Sequence, residues 1–235
     1  MKKLFSKNTI TIIKDLTFIG IALFGAYFCY HLYNKSHATD QMFLSSVQRF
    51  EAGNSWIKTR QKTILFMRDE YLAADSAVDK VTAYNIAENN YILAVEKFNT
   101  IDPLLLLAIQ WKESSFKSSV VFGKHHSSQN AIGVCQLEKS TAVMMARVRG
   151  IQWSDTYLTD PLKNTELAVT FINVIQSEGD ISNEQMLAAY NCCYDGANKW
   201  VNDRDALPPQ TRDYVPKVMK KYKEYTKEFI TYEVH

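Results

Sequence analysis

The sequence predicts a mainly α chain: a helical globular domain behind a helical stem and one N-terminal transmembrane helix. Three observations predict it. Apolar residues make up 46% and charged residues 22% of the 235, a globular composition. Apolar positions recur at helical spacing, and no long alternating strand pattern occurs. One uncharged, apolar run follows a cluster of lysines near the amino terminus. The length suits about one to one-and-a-half domains and excludes a large multidomain machine. Lys+Arg 27 against Asp+Glu 25 leaves +2, too near neutral for a nucleic-acid protein. Eight Gly and five Pro exclude collagen-like and low-complexity chains, and four Cys are too few for a disulfide-built scaffold.

The tail, residues 1–15, carries Lys2, Lys3, Lys7 and Lys14. Residues 16–33, LTFIGIALFGAYFCYHLY, hold no formal charge. At helical rise they reach roughly 27 Å, close to the hydrocarbon thickness of a bilayer. Lysines on one side keep the tail in the cytoplasm and send the rest across the inner membrane, to the periplasmic or wall side. The rival reading is a secreted chain cut near Ala38, since Ser36-His37-Ala38 offers a small-x-small site. The bulky, charged stretch Tyr30 to Lys35 argues against that cut. Export leaves Cys135, Cys192 and Cys193 where disulfides persist.

Residues 34–83 read as the helical stem. Met42, Phe43, Val47 and Phe50 form one stripe, Gly53-Asn54-Ser55 interrupts, and Trp56 to Ala74 forms a second amphipathic run. Residues 84–230 read as short helices joined by polar loops. One helix ends over Tyr91 to Phe98. Asp102-Pro103 opens the next with an acidic cap and proline at the first turn. Pro161 to Ser177 presents Leu167, Phe171 and Val174 on one face, and Ser182 to Gln185 spells a capping box ahead of a helix through Tyr190. Thr211 begins the last helix, with Tyr214, Val218, Tyr222 and Tyr225 turned inward. Its basic face (Arg212, Lys217, Lys220, Lys221, Lys223, Lys227) reads as solvated surface.

Glu113 is the candidate acid. Leu106, Ile109 and Gln110 stand seven, four and three residues before it, so its carboxyl shares the helix's apolar face. Burial and a nearby helix carboxyl end both disfavour the carboxylate, which suits a general acid working near neutral pH. By itself a glutamate at a helix end is more often a solvated group.

Its neighbours narrow the choice. Glu113-Ser114-Ser115-Phe116, Gly133-Val134-Cys135-Gln136, Ala189-Tyr190-Asn191 and Tyr214-Val215 follow one another in this order. Together with Ile101-Asp102-Pro103-Leu104, Thr141-Ala142 and Pro208 to Thr211, they resemble the soluble lytic transglycosylase (SLT) family over roughly residues 84–226. The resemblance implies a lysozyme-like fold of the goose-type or SLT kind, with peptidoglycan glycan strands as substrate and no cofactor or metal. It implies cleavage of the β-1,4 bond between N-acetylmuramic acid and N-acetylglucosamine, leaving a 1,6-anhydro end. It makes Glu113 the catalytic acid, with Ser114, Gln136, Tyr190, Asn191 and Tyr214 binding substrate or supporting the acid. Ser114 has a second reading, as a cap of its helix end. Enzymes that use water or a covalent intermediate usually need a second carboxylate across the bond. Glu138 and Asp195 lie near the motifs, and geometry must decide whether either serves.

Three departures from the family pattern stand out. The Phe116 to Gly133 loop is long and carries His125-His126, which match no metal-ligand spacing. Cys192-Cys193 stands where small residues usually follow Ala-Tyr-Asn, and Cys135 where Met is common. Since both cysteine-bearing motifs belong at the cleft in that family, a disulfide from Cys135 to Cys192 or Cys193 is expected, with three buried free thiols as the alternative. The leading reading is a membrane-anchored lytic transglycosylase that opens the wall for a secretion, conjugation or pilus apparatus, or for phage entry from a virion. The alternatives are a hydrolytic muramidase of goose-lysozyme type and a non-catalytic glycan-binding assembly subunit.

Overall fold

The computed structural model describes residues 53–125, 130–193 and 195–234. The chain divides into two compact units, Met1–Ile57 and Lys58–His235. The tail, the anchor expected over 16–33 and the first part of the stem lie outside the described residues, as do His126 and Tyr194. Among the described residues no helix is long and apolar enough to cross a membrane. Residues 53–57 are helical, and the chain before Gly53, where the first stripe of the stem falls, lies outside the described residues. A single helical glycine costs only about 1 kcal/mol against alanine.

The second unit begins 26 residues earlier than the expected boundary at residue 84, at Lys58. Its first helix, α1 (residues 58–74), carries Ile64, Met67 and Tyr71 on one face, each fully buried. Phe66 meets Tyr225, Phe229 and Tyr232 edge-on with ring centroids 5.4–5.9 Å apart. Arg60 bonds Glu88 and Glu96 at 3.2 and 2.9 Å. The later stem is therefore one wall of the globular domain. Its apolar stripe marked a face to be covered, and the cover came from the same chain.

Helix α2 (Lys80–Tyr91) starts at Asp79, whose carboxylate accepts from the Val81 and Thr82 amides, and runs on into a π-helical turn, Ile92–Lys97. Helix α3 (Pro103–Ser114) opens as the Asp102-Pro103 pair predicts, with the Asp102 carboxylate accepting from Leu104 and Leu105 N–H. Leu104 through Ile109 are buried on every side. A helix apolar all round must be surrounded, and α2 and α10 both pack on it. Then follow α4 (Ser118–Val121), α5 (Lys139–Val148), α6 (Thr156–Thr159), α7 (Pro161–Gln176), α8 (Asn183–Asn191), α9 (Gly196–Asn202) and α10 (Pro209–Thr231).

The expected capping box is present at Ser182 and Gln185. The last helix begins at Pro209, two residues ahead of Thr211, because proline is tolerated in a first turn where its missing N–H has no partner to lose. Extended pairing among the described residues is limited to one bridge, Ile132 with Leu137. Helix α10 packs on α3 and α8, and α5 on α7, which gathers the ends of α3 and α8 around one cleft.

Candidate active site

The site is built on the end of α3. Ser115 and Phe116 both hold left-handed backbone, φ 50° and 55°, a conformation that costs an L-residue roughly 1–2 kcal/mol each. Burial of the Phe116 ring against Tyr71, centroids 4.3 Å apart, offsets that strain. Ser114 closes the same turn. Its hydroxyl donates to the Gln110 carbonyl at 2.8 Å and accepts from the Phe116 amide at 3.1 Å. Of its two expected roles Ser114 therefore takes the helix cap. It is buried on the core side and does not line the cleft.

Glu113, one residue earlier, is half-buried at the floor of a cleft of about 460 Å³. Lys112, Gln136, Leu137 and Glu138 line the cleft with Thr141 and Met144 of α5, Phe171 of α7, Ala189 to Cys193 and Gln210. Removal from water pushes the Glu113 carboxyl up to about 7; the Tyr214 hydroxyl and the Lys112 charge oppose that rise without cancelling it. Tyr214 is buried behind the acid, not in the cleft wall. Its hydroxyl has no well-formed hydrogen bond of its own and faces the Glu113 carboxyl, so it is held ready to donate when that carboxyl ionises. The Lys112 amine sits over the Tyr214 ring, 5.5 Å from its centroid.

A raised carboxyl pKa is also a statement about stability. Unfolded, Glu113 loses its proton near the ordinary value of 4.5; folded, near 7. The stability of the folded, protonated form is full below the lower value and is lost as pH rises through the higher one. Glu113→Gln is neutral throughout. The Tm difference between Glu113→Gln and wild type is thus expected to grow from pH 5 to pH 8 and then level off. A pH-independent difference would place the carboxyl in bulk water.

Gln136 lies on the turn from Gly133, with φ 47°, and its own amide donates to the Gly133 carbonyl at 2.8 Å. That turn is held from below by Asn164. Its side chain donates to the Ile132 and Leu158 carbonyls at 2.9 and 3.1 Å and accepts from the Cys135 amide at 2.9 Å. Gly133 has φ 85°, and a Cβ there would stand 2.3 Å from the Leu158 carbonyl oxygen and 2.4 Å from the Asn164 amide nitrogen. The Tyr190 hydroxyl donates to the Cys135 carbonyl at 2.9 Å, which ties α8 to this turn, while its ring packs on Phe171 with centroids 5.7 Å apart. Asn191 accepts from the Thr211 hydroxyl at 2.8 Å, so the N–H donors of its amide are what it offers the cleft.

Glu113, Gln136, Tyr190 and Asn191 thus converge on one cleft, with Tyr214 behind them. The expected disulfide is absent. Cys135, Cys192 and Cys193 are all free. The Cys135 thiol points into the core, 3.7 Å from Gln110 Nε2 and 3.9 Å from Thr165 Oγ1, and burial pushes it up to about 12. Both motifs do reach the cleft, but on the turn it is Gln136 that faces it. Of the two neighbouring acids, Asp195 pairs with Lys199 at 3.3 Å and does not line the cleft; Glu138 lines it but is exposed.

The sequence reading missed Lys112, Phe171 and Gln210 in the lining and the network beneath it. Gln110 accepts from the Tyr71 hydroxyl and the Asn90 amide at 2.8 and 2.7 Å, and donates to Thr165 at 3.1 Å. A glutamine alone on the apolar face of α3 was the signal available for that network, since a buried amide needs partners.

The transglycosylase SLT domain family matches residues 90–212. Among solved structures, an inactive mutant of the lytic transglycosylase Slt from Pseudomonas aeruginosa is similar, at 21% identity and TM-score 0.48, over 82% of this chain. The chain spans only 35% of that protein's length. No curated protein matches the chain.

Proposed function

The chain belongs to the transglycosylase SLT domain family, and from that premise we propose that it is a peptidoglycan lytic transglycosylase. The observation that carries the reading is one sheltered carboxyl, pushed up to about 7, at the floor of a cleft shared with Gln136, Tyr190 and Asn191. Protonated Glu113 donates to the glycosidic oxygen as the bond to the muramic anomeric carbon breaks. The carboxylate left behind, facing the Tyr214 hydroxyl, takes the proton from the muramic acid 6-hydroxyl as that oxygen closes on the same carbon. The proton balance is zero and no water is consumed, so a single acid suffices.

Mass spectrometry of digests of purified wall tests this. The expected muropeptides end in 1,6-anhydromuramic acid, one water lighter than the reducing-end products of a hydrolase. One observation supports the hydrolytic muramidase reading: Glu138 supplies a second carboxylate to the cleft. Reducing ends in the digest would select it. Because the first step uses the protonated acid, kcat/KM on soluble glycan is expected to fall as pH rises through about 7. A profile flat from pH 5 to pH 9 would remove Glu113 from the proton transfer.

The proposal extends to place. An anchor over residues 16–33 would hold the catalytic unit against the wall side of the cytoplasmic membrane, confining cleavage to nearby glycan. Such confinement suits local wall opening for an envelope-spanning apparatus or a phage. Carbonate-resistant membrane association of the full chain, lost on removal of residues 1–33, is the expected fractionation result.

A further inference from the structure

Two side chains in the cleft wall are left unused by this chemistry. Cys192 and Cys193 are adjacent in sequence, both free, and their sulfurs are 2.7 Å apart. Cys193 is exposed and Cys192 half-buried, and both face the cleft that holds Glu113. Cys193 is the more exposed of the two, so it is the sulfur an incoming reagent meets first, while burial and the neighbouring thiol hold Cys192 above the ordinary thiol range. Lys199, paired with Asp195 at 3.3 Å, carries its charge close enough to interact with both thiols.

We propose that Cys192 and Cys193 form a thiol–disulfide exchange site on the cleft wall, closed to a vicinal disulfide by a disulfide-bearing oxidant and reopened by a dithiol. This rests on the transglycosylase reading only for its effect on rate. The Cys193 thiolate attacks a sulfur of the oxidant, forming a mixed disulfide and releasing one thiolate. Cys192, giving its proton to solvent, then attacks the Cys193 sulfur, and the second thiolate leaves. Two electrons pass from the pair to the oxidant, whose two sulfurs depart as thiols.

Ring closure cannot leave the turn unchanged. The Cys192 amide ends α8 on the Ala188 carbonyl at 3.1 Å, and the Cys193 carbonyl holds the Gly196 amide at 2.8 Å. Gly196 packs closely on α8, since a Cβ there would stand 2.7 Å from the Ala188 carbonyl oxygen. A turn pinned at both ends takes up the new ring by moving what lies between the pins, the two cysteines that themselves line the cleft. Displacement of a substrate-facing group by about 1 Å can cost up to a hundredfold in rate.

The full chain is equilibrated with oxidised glutathione or with dithiothreitol, then alkylated and mapped by mass spectrometry. After oxidised glutathione the peptide holding Cys192 and Cys193 is expected two hydrogens lighter and unalkylated, and after dithiothreitol doubly alkylated. Two stable glutathione adducts, an intermolecular disulfide or unchanged thiols would each overturn the site. Release of anhydromuropeptides and co-sedimentation with purified wall are measured on the same samples. At least a threefold difference between the two states is expected in one of them, and a ratio near one for Cys192→Ser and Cys193→Ser, each compared only with itself. Equal behaviour in both states would overturn the link to the cleft. Should neither state release anhydro products, the transglycosylase reading fails, while the thiol map and the sedimentation ratio still decide the exchange site.

Discussion

Glu113→Gln is expected to lower release of anhydromuropeptides by at least about a thousandfold, since one positioned acid commonly supplies 10²–10⁴-fold and here the same group serves both proton transfers. Glutamine keeps the shape and hydrogen-bonding reach of a protonated carboxyl but cannot give up the proton. The buried Tyr214 hydroxyl keeps an oxygen to face, and Lys112 keeps its place over the Tyr214 ring. The fold is therefore expected to survive, and the circular dichroism spectrum and thermal transition separate lost chemistry from lost structure. Activity within tenfold of wild type, measured by anhydro end groups per mole of enzyme, would move catalysis to another residue. Glu138 would be the first to examine, as the other carboxylate that lines the cleft.

Gly133→Ala should be among the most damaging single-methyl additions in the domain. Its backbone, at φ 85°, already lies where an L-residue is strained, and the new carbon would stand 2.3 Å from the Leu158 carbonyl oxygen and 2.4 Å from Asn164 Nδ2. Asn164 cannot retreat without giving up its bonds to Ile132, Leu158 and Cys135. Conformational strain together with overpacking costs roughly 3–4 kcal/mol, and a domain of this size then loses on the order of 10 °C in Tm. Gly150→Ala is the control. Gly150 also has positive φ, 65°, but open space where its Cβ would go, so about 1 kcal/mol is expected. Equal losses at both positions, measured by urea denaturation, would show that strain alone and not the Asn164 staple governs the turn.

Much of this architecture was legible from local chemistry. Asp102-Pro103 and Ser182 to Gln185 are helix openings because a side-chain oxygen beside unpaired amides is a short-range matter, and both caps form. Glu113 was legible for a related reason. Helical spacing puts it on the face of Leu106 and Ile109, whatever that face later meets. The stem was half legible. Its amphipathic run from Trp56 to Ala74 announced a face to be buried but carried no record of which surface would bury it. The answer, the aromatic ladder of Tyr225, Phe229 and Tyr232, lies some 160 residues away in sequence, as the bond from Tyr232 to Asp69 records.

The cysteines show where such reading stops. Order along the chain brought both cysteine motifs to one cleft, yet a pairing depends on which way each side chain leaves its backbone. At Gln136 the chain turns through φ 47°, so Gln136 faces the cleft while Cys135 faces Gln110 and Thr165. The same holds for Ser114, turned back onto its own helix, and for Tyr214, set behind the acid. By itself the sequence determined the helices, their caps and the helix face on which Glu113 lies, because these depend on spacing along a single element. Only the tertiary structure decided what surrounds that carboxyl and where each sulfur points, because those depend on how α3, α8 and α10 meet.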